Sequence, residues 1–192
     1  WSRASARAVT PPGGAGRSAP PGFRGSQLRV SQSFAVPFTR RFCENLEETV
    51  RSDAEVDAAL RAVLAGSTAR DCESETLDFK TVGRSVSDTL KDLAEAAACF
   101  ANHRGGAVVV GVADPSAGPE ALVGCDLDEA DVRLAVFQKT VPHLTVDVRP
   151  QEVDGVRLLV ISVPESAAVH SVGGQFRKRL TTSCQPMSAD QI

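Results

Sequence analysis

The sequence predicts an α/β domain of the α+β kind, a mixed β-sheet with flanking helices, and three observations predict it. Strand-length apolar runs alternate with helix-length stripes through the middle of the chain. Asp154-Gly155 lies between two strand-like runs, a hairpin signal because both residues accept the positive φ of a tight turn. The composition, 42% hydrophobic and 23% charged, is that of a chain able to bury a core.

Order is expected from Ser52 onward. Ser52-Asp53-Ala54-Glu55 fits a capping box, in which serine and glutamate satisfy each other's free amides. Val56, Ala59, Leu60, Val63 and Leu64 follow with helical spacing, and Gly66 can end the helix in the left-handed region. The later residues of Glu73–Lys80 read as a strand. Ser87 or Asp88 then starts a helix whose Leu90, Leu93, Ala94, Ala97, Phe100 and Ala101 share a face. Asn102-His103-Arg104-Gly105-Gly106 stops it. Ala107 to Val112 is continuously apolar, as in a central strand covered on both faces.

Asp114-Pro115 opens a turn, and a third helix is expected from Asp126 to Val141, with Val132, Val136 and Phe137 inward. Leu144 to Pro150 alternates as a half-exposed strand, and Val156 to Val163 returns antiparallel after the hairpin. Gly174 to Leu180 reads as a short edge strand with exposed cations. After the leading helix the expected order is β-α-β-α-β-β-β. Its first βαβ unit is parallel and its later strands are antiparallel.

Charge divides the chain. Residues 1 to 43 contain seven arginines and no acidic residue, whereas residues 44 to 192 carry a net charge of −10. Residues 1–51 are therefore expected to form a disordered, basic, Pro/Gly/Ser-rich leader, and residues 52–192 the folded domain. Such a leader also suits a transit peptide or a nucleic-acid-binding arm. No apolar run is long enough to span a bilayer, so no membrane contact is expected and the cytoplasm is the expected compartment. The five cysteines (Cys43, Cys72, Cys99, Cys125 and Cys184) and three histidines show neither zinc nor disulfide-framework spacing. Free thiols in a reducing compartment are the expectation. Gly105-Gly106 follows a helix and precedes a strand, the reverse of a phosphate-binding loop. Eight Phe, one Trp and no Tyr offer no platform for stacking bases.

Four segments resemble one known family. Glu73-Ser74-Glu75-Thr76-Leu77-Asp78-Phe79-Lys80 is similar to the E-S-x-x-x-E-F-K opening of the Schlafen-type AlbA domain. Ala98 to Gly106 resembles its A-F-A-N-x-x-G-G helix end, and Val110-Gly111-Val112-Ala113-Asp114 its G-V-x-D strand. Phe176 to Ser183, with Met187-Ser188, resembles the closing strand and Ser/Thr-rich loop. The resemblance implies an AlbA/Schlafen-like fold and a nucleic-acid-binding module, DNA or RNA, as in a transcriptional regulator. It also raises a second reading, since some animal Schlafens are metal-dependent ribonucleases whose carboxylates match Glu73, Asp78 and Asp114 by position.

The chemistry of that trio is specific. Phosphodiester hydrolysis commonly uses Mg²⁺ or Mn²⁺, hard cations that take carboxylate oxygens from several elements. Asp78 and Asp114 are expected at the C-terminal edge of the sheet, with Lys80 on the face of Asp78 to orient water or hold a phosphate. On a regular strand, Glu73 and Asp78 would face opposite sides, so convergence requires Glu73 in the entry loop. Asp78 is one methylene shorter than the family's glutamate. For nucleic-acid binding the expected residues are Arg177, Lys178, Arg179 and Arg104, with Thr181 and Thr182 as small donors to phosphate. A third reading is a protein-interaction module, a homodimer joined along the last strand.

Overall fold

The computed structural model describes residues 53–192. The first helix, α1, spans residues 53–64. The Ser52 end of the expected capping box lies outside the described residues, and the Glu55 carboxylate serves elsewhere. It accepts hydrogen bonds from Ser74 Oγ (2.8 Å) and Thr76 Oγ1 (2.9 Å), which fastens α1 to the start of the sheet. Gly66 ends the helix at a φ of 111°. A one-turn helix, α2 (Ala69–Cys72), precedes strand β1 (Leu77–Lys80).

Helix α3 (Val86–Ala101) follows, capped by Ser85, whose side chain accepts from the Asp88 amide. It therefore starts earlier than Ser87 or Asp88, because Ser85 adopts the extended backbone of a cap and Ser87 already lies in the first turn. The glycine pair turns the chain into β2 (Gly106–Val110), which runs parallel to β1 with Leu77 opposite Ala107. At Gly106 (φ 138°) an added Cβ would lie 2.3 Å from the Thr76 carbonyl oxygen, so only glycine fits.

Helix α4 (Glu129–Lys139) is capped by Asp128 and is shorter than the expected 126–141. Val132 and Val136 face the core, but Phe137 is 44% exposed and stacks on His143. Strand β3 (Thr140–Val141) follows, then β4 (Asp147–Val153) and β5 (Val156–Val163), joined by Asp154 and Gly155 at φ 49° and 77°. The principal sheet has the order β1-β2-β5-β4. Leu144 and Val146 precede β4 rather than belonging to it, yet they are buried.

Alternation along β2 and β5 builds two cores. Val108, Val110, Leu159 and Ile161 join Leu93, Phe100, Val132 and Val136 beneath α3 and α4. Ala107, Val109, Leu158 and Val160 join Val56, Leu60 and Val63 of α1, with Leu77 and Phe79, on the opposite face. Each fully buried aliphatic side chain of this kind contributes about 1.5–3 kcal/mol, so both layers are needed to offset the chain entropy.

The end of the chain departs from expectation. Strands β6 (Ser171–Val172), β7 (Gln175–Leu180) and β8 (Ser183–Pro186) form a second antiparallel sheet with β3, in the order β3-β6-β7-β8. Strand β7 is therefore internal rather than an open edge, and the edge on that side is β8. Strands of two to four residues carry no readable alternation, which hid three of the four. A second correction concerns the cysteines. Cys99 of α3 and Cys184 of β8 form a disulfide across 85 residues, with their Cα atoms 6.0 Å apart. Cys72 and Cys125 remain thiols. The pairing depends on packing of the β7–β8 hairpin against α3, which spacing does not display. Among the described residues no helix is long and apolar enough to cross a membrane.

Candidate functional site

Between the C-terminal ends of β1 and β2, helix α3 and the β7–β8 hairpin lies an open cleft of about 800 Å³. Asp78 and Lys80, two apart on β1, face it together, while Phe79 between them enters the α1-side core. Asp78 is only 2% exposed and is clamped by two cations. Its Oδ1 lies 3.0 Å from Arg179 Nη1, and its Oδ2 lies 2.5 Å from Lys80 Nζ. Asp78 is thus buried and paired.

Arg179 is equally buried, so it is not the exposed cation expected of the last strand. Besides Asp78 it donates to the carbonyls of Ser74 (3.2 Å from Nη2) and Leu77 (3.1 Å), and its guanidinium lies 4.8 Å from the centre of the Phe100 ring. Four of its five N–H donors are engaged in this way, so it sets the geometry of the floor.

Glu73 lies before the strand, at the end of α2, where convergence with Asp78 requires it. Its carboxylate accepts the Phe79 amide at 3.3 Å. Burial, and then the charge of Asp78, push the Glu73 carboxyl above its ordinary range. Asp114, just beyond β2, is held in a fork by Arg70 of α2, with contacts of 3.1 Å from Nε and 2.6 Å from Nη2. Arg70 escaped sequence reasoning, because it stands 44 residues from its partner and outside every motif.

All three carboxylates therefore line one cleft, and each already has at least one partner. A hard divalent cation needs free carboxylate oxygens. Here both Asp78 oxygens face cations, Asp114 is forked by Arg70, and Glu73 accepts a backbone amide. Among the described residues no three His, Cys, Asp or Glu side chains are grouped to hold a metal. The donor set does not fit Mg²⁺ or Mn²⁺ in this arrangement.

The remaining expected residues separate. Arg177 and Thr182 line the cleft with Ser183, and Arg177 has no ion-pair partner among the described residues. Lys178 alternates to the other face of β7 and is half-buried. Thr181 occupies the hairpin turn at φ 54° and donates to the Leu180 carbonyl, outside the cleft lining. Arg104 sits away from the cleft, 3.5 Å from Glu75. Asn102 was read only as a helix stop. Its Nδ2 donates to the carbonyls of His170 and Arg177, and its Oδ1 accepts the His170 amide, which joins α3 to the second sheet.

The family model described as Schlafen, AlbA_2 matches residues 73–188, which include every wall of this cleft except Arg70. The chain belongs to the Schlafen AlbA_2 family. Among solved structures, the DIP2311 protein from Corynebacterium diphtheriae is similar over 73% of this chain, with 25% identity and a TM-score of 0.61. The matched part of this AlbA_2 chain corresponds to 27% of the length of that protein. The N-terminal domain of a RecG-related protein from Nitrosomonas europaea is similar over 60% of this chain and 85% of its own, at 24% identity. Its TM-score of 0.36 leaves that backbone too distant to bear on the site. No curated protein matches the chain.

Proposed function

We propose that this AlbA_2 domain binds nucleic acid at the cleft mouth through the phosphate backbone, in the manner of a regulator's binding module, and does not cut it. The observation that carries this reading is Arg177. It is a cation in the cleft wall without an ion-pair partner among the described residues, and Thr182 and Ser183, at the turn end of the β7–β8 hairpin, line the same cleft. Positive charge with small hydroxyl donors is the chemistry that holds phosphate oxygens. The acidic balance of the folded part, −10 over residues 44 to 192, favours a local contact over a broad electrostatic footprint. Lys178 and Arg104, on other faces, belong to a wider contact with a long polymer. The clamped carboxylates support binding over hydrolysis, because the cations that neutralise them stand where a metal would.

The test is a titration of fluorescein-labelled duplex DNA and single-stranded RNA between low and physiological salt. Binding is expected to weaken with salt, and Arg177→Ala to reduce the log–log salt slope by about one, the mark of one lost phosphate contact. Salt-independent binding, or none to either probe, overturns the reading. Mn²⁺-dependent cleavage that disappears in Asp78→Ala would establish the nuclease instead.

A further inference from the structure

The cleft wall contains a covalent bond that phosphate contact does not require. Cys99 of α3 is fully buried, whereas its partner Cys184 is half-buried and lines the cleft. Cys184 stands opposite Arg179 in the β7–β8 register, directly after Ser183. Strand β8 is a four-residue edge strand with three exposed residues, and it pairs with β7 alone. A short strand held on one side is marginal in water. Strand β7 is secured independently, through Asn102 to the Arg177 carbonyl and through Arg179 to Asp78. The bond to α3 therefore fixes β8 and the turn that carries Thr182, while β7 stays anchored without it.

We propose that Cys99–Cys184 is a redox-active pair that sets the affinity of the cleft for nucleic acid. In the oxidised form Thr182 and Ser183 are held in the cleft wall that Arg177 shares. In the reduced form β8 leaves α3 and the hydroxyls lose that position. This rests on the nucleic-acid reading above. The reductant is a dithiol, and the step balances without further reactants. One thiolate of the dithiol attacks Cys184 Sγ, the sulfur that faces the cleft. The protein S–S bond breaks with its electron pair on Cys99 Sγ, which takes a proton. The second thiolate of the reductant then closes on the mixed disulfide and releases Cys184, which is protonated in turn. Two electrons and two protons pass to the protein, and the reductant leaves as its own disulfide. Arg177, in the same wall, draws the attacking thiolate toward Cys184.

The probes are again labelled duplex DNA and single-stranded RNA, titrated with protein that has been air-oxidised or reduced with dithiothreitol. Reduction is expected to weaken binding about tenfold, a coupling of ordinary size between two linked states. Cys184→Ser should bind at the reduced value in both conditions, and Cys99→Ala should repeat this if the serine variant does not fold. Cys72→Ser, at a free thiol, should keep the full response. Equal affinity in the two states overturns the proposal. If neither state binds either probe, the nucleic-acid reading has failed, and hydrogen exchange then decides the hairpin's release separately. Faster exchange at residues 181–187 on reduction, with β1, β2, β5 and β4 unchanged, supports the release, and unchanged exchange at 181–187 overturns it.

Discussion

Asp78 and Arg179 stand 101 residues apart in the chain and form the buried ion pair that shapes the cleft floor. Removing one partner from such a pair strands a charge, whereas replacing both with apolar groups is often tolerated. Arg179→Met should therefore cost about 3–5 kcal/mol of unfolding free energy, and Asp78→Leu/Arg179→Met should recover much of it. Urea denaturation of the three proteins decides, and equal stability of the single and double variants would refute the account. Glu73 makes the opposite contribution. Its folded carboxyl lies above the ordinary value of 4.5, so it binds its proton more tightly folded than unfolded. Stability is then lost as pH rises from that ordinary value through the raised one, and the loss persists at neutral pH. Glu73→Gln, which keeps an oxygen for the Phe79 amide, should stabilise the protein at pH 7 and flatten that descent in denaturation midpoints. The placing of Asp78 and Asp114 at one edge of the sheet was legible in the strand order, whereas Glu73 came to them only through the family resemblance. Their partners were not legible, because Arg70 and Arg179 reach them through tertiary packing alone.

The long, strongly patterned elements could be read from the sequence: α3 from its apolar stripe, β2 from its unbroken valines, and the β4–β5 hairpin from Asp154-Gly155. What could not be read was the second sheet. Its β3 and β6 are two residues each, too short for any period, and β7 seemed an edge because nothing in the sequence marks β8 as its neighbour. Beside the Cys99–Cys184 bond, one polar side chain joins that sheet to α3. Asn102 satisfies two carbonyls and one amide at 2.7–2.8 Å. Asn102→Ala leaves those groups without partners and should cost about 1–3 kcal/mol. The loss should appear as faster hydrogen exchange in β6 and β7 than in β2, and uniform exchange would show that the joint lies elsewhere.

At the scale of the molecule, Asp78 and Asp114 of the cleft already face cations, so added metal has little to gain. Mn²⁺ at millimolar concentration should leave the melting temperature unchanged, since a ligand stabilises only in proportion to its preference for the folded state. A rise by several degrees, abolished in Asp78→Ala, would mean that metal displaces Lys80 and Arg179 after all.

Helix α1 has a consequence for the size of the folding unit. It lies wholly before residue 73, where the family match begins, yet Val56, Leu60 and Val63 cover the sheet face made by Val109, Leu158 and Val160. A protein cut to the matched residues would present that face to water as a continuous aliphatic surface, and such surfaces stick to one another. The 73–188 fragment should accumulate as inclusion bodies or bind a hydrophobic dye when refolded, while residues 53–192 remain dispersed. The smallest heritable piece of this fold is then larger than the segment by which its kinship is detected.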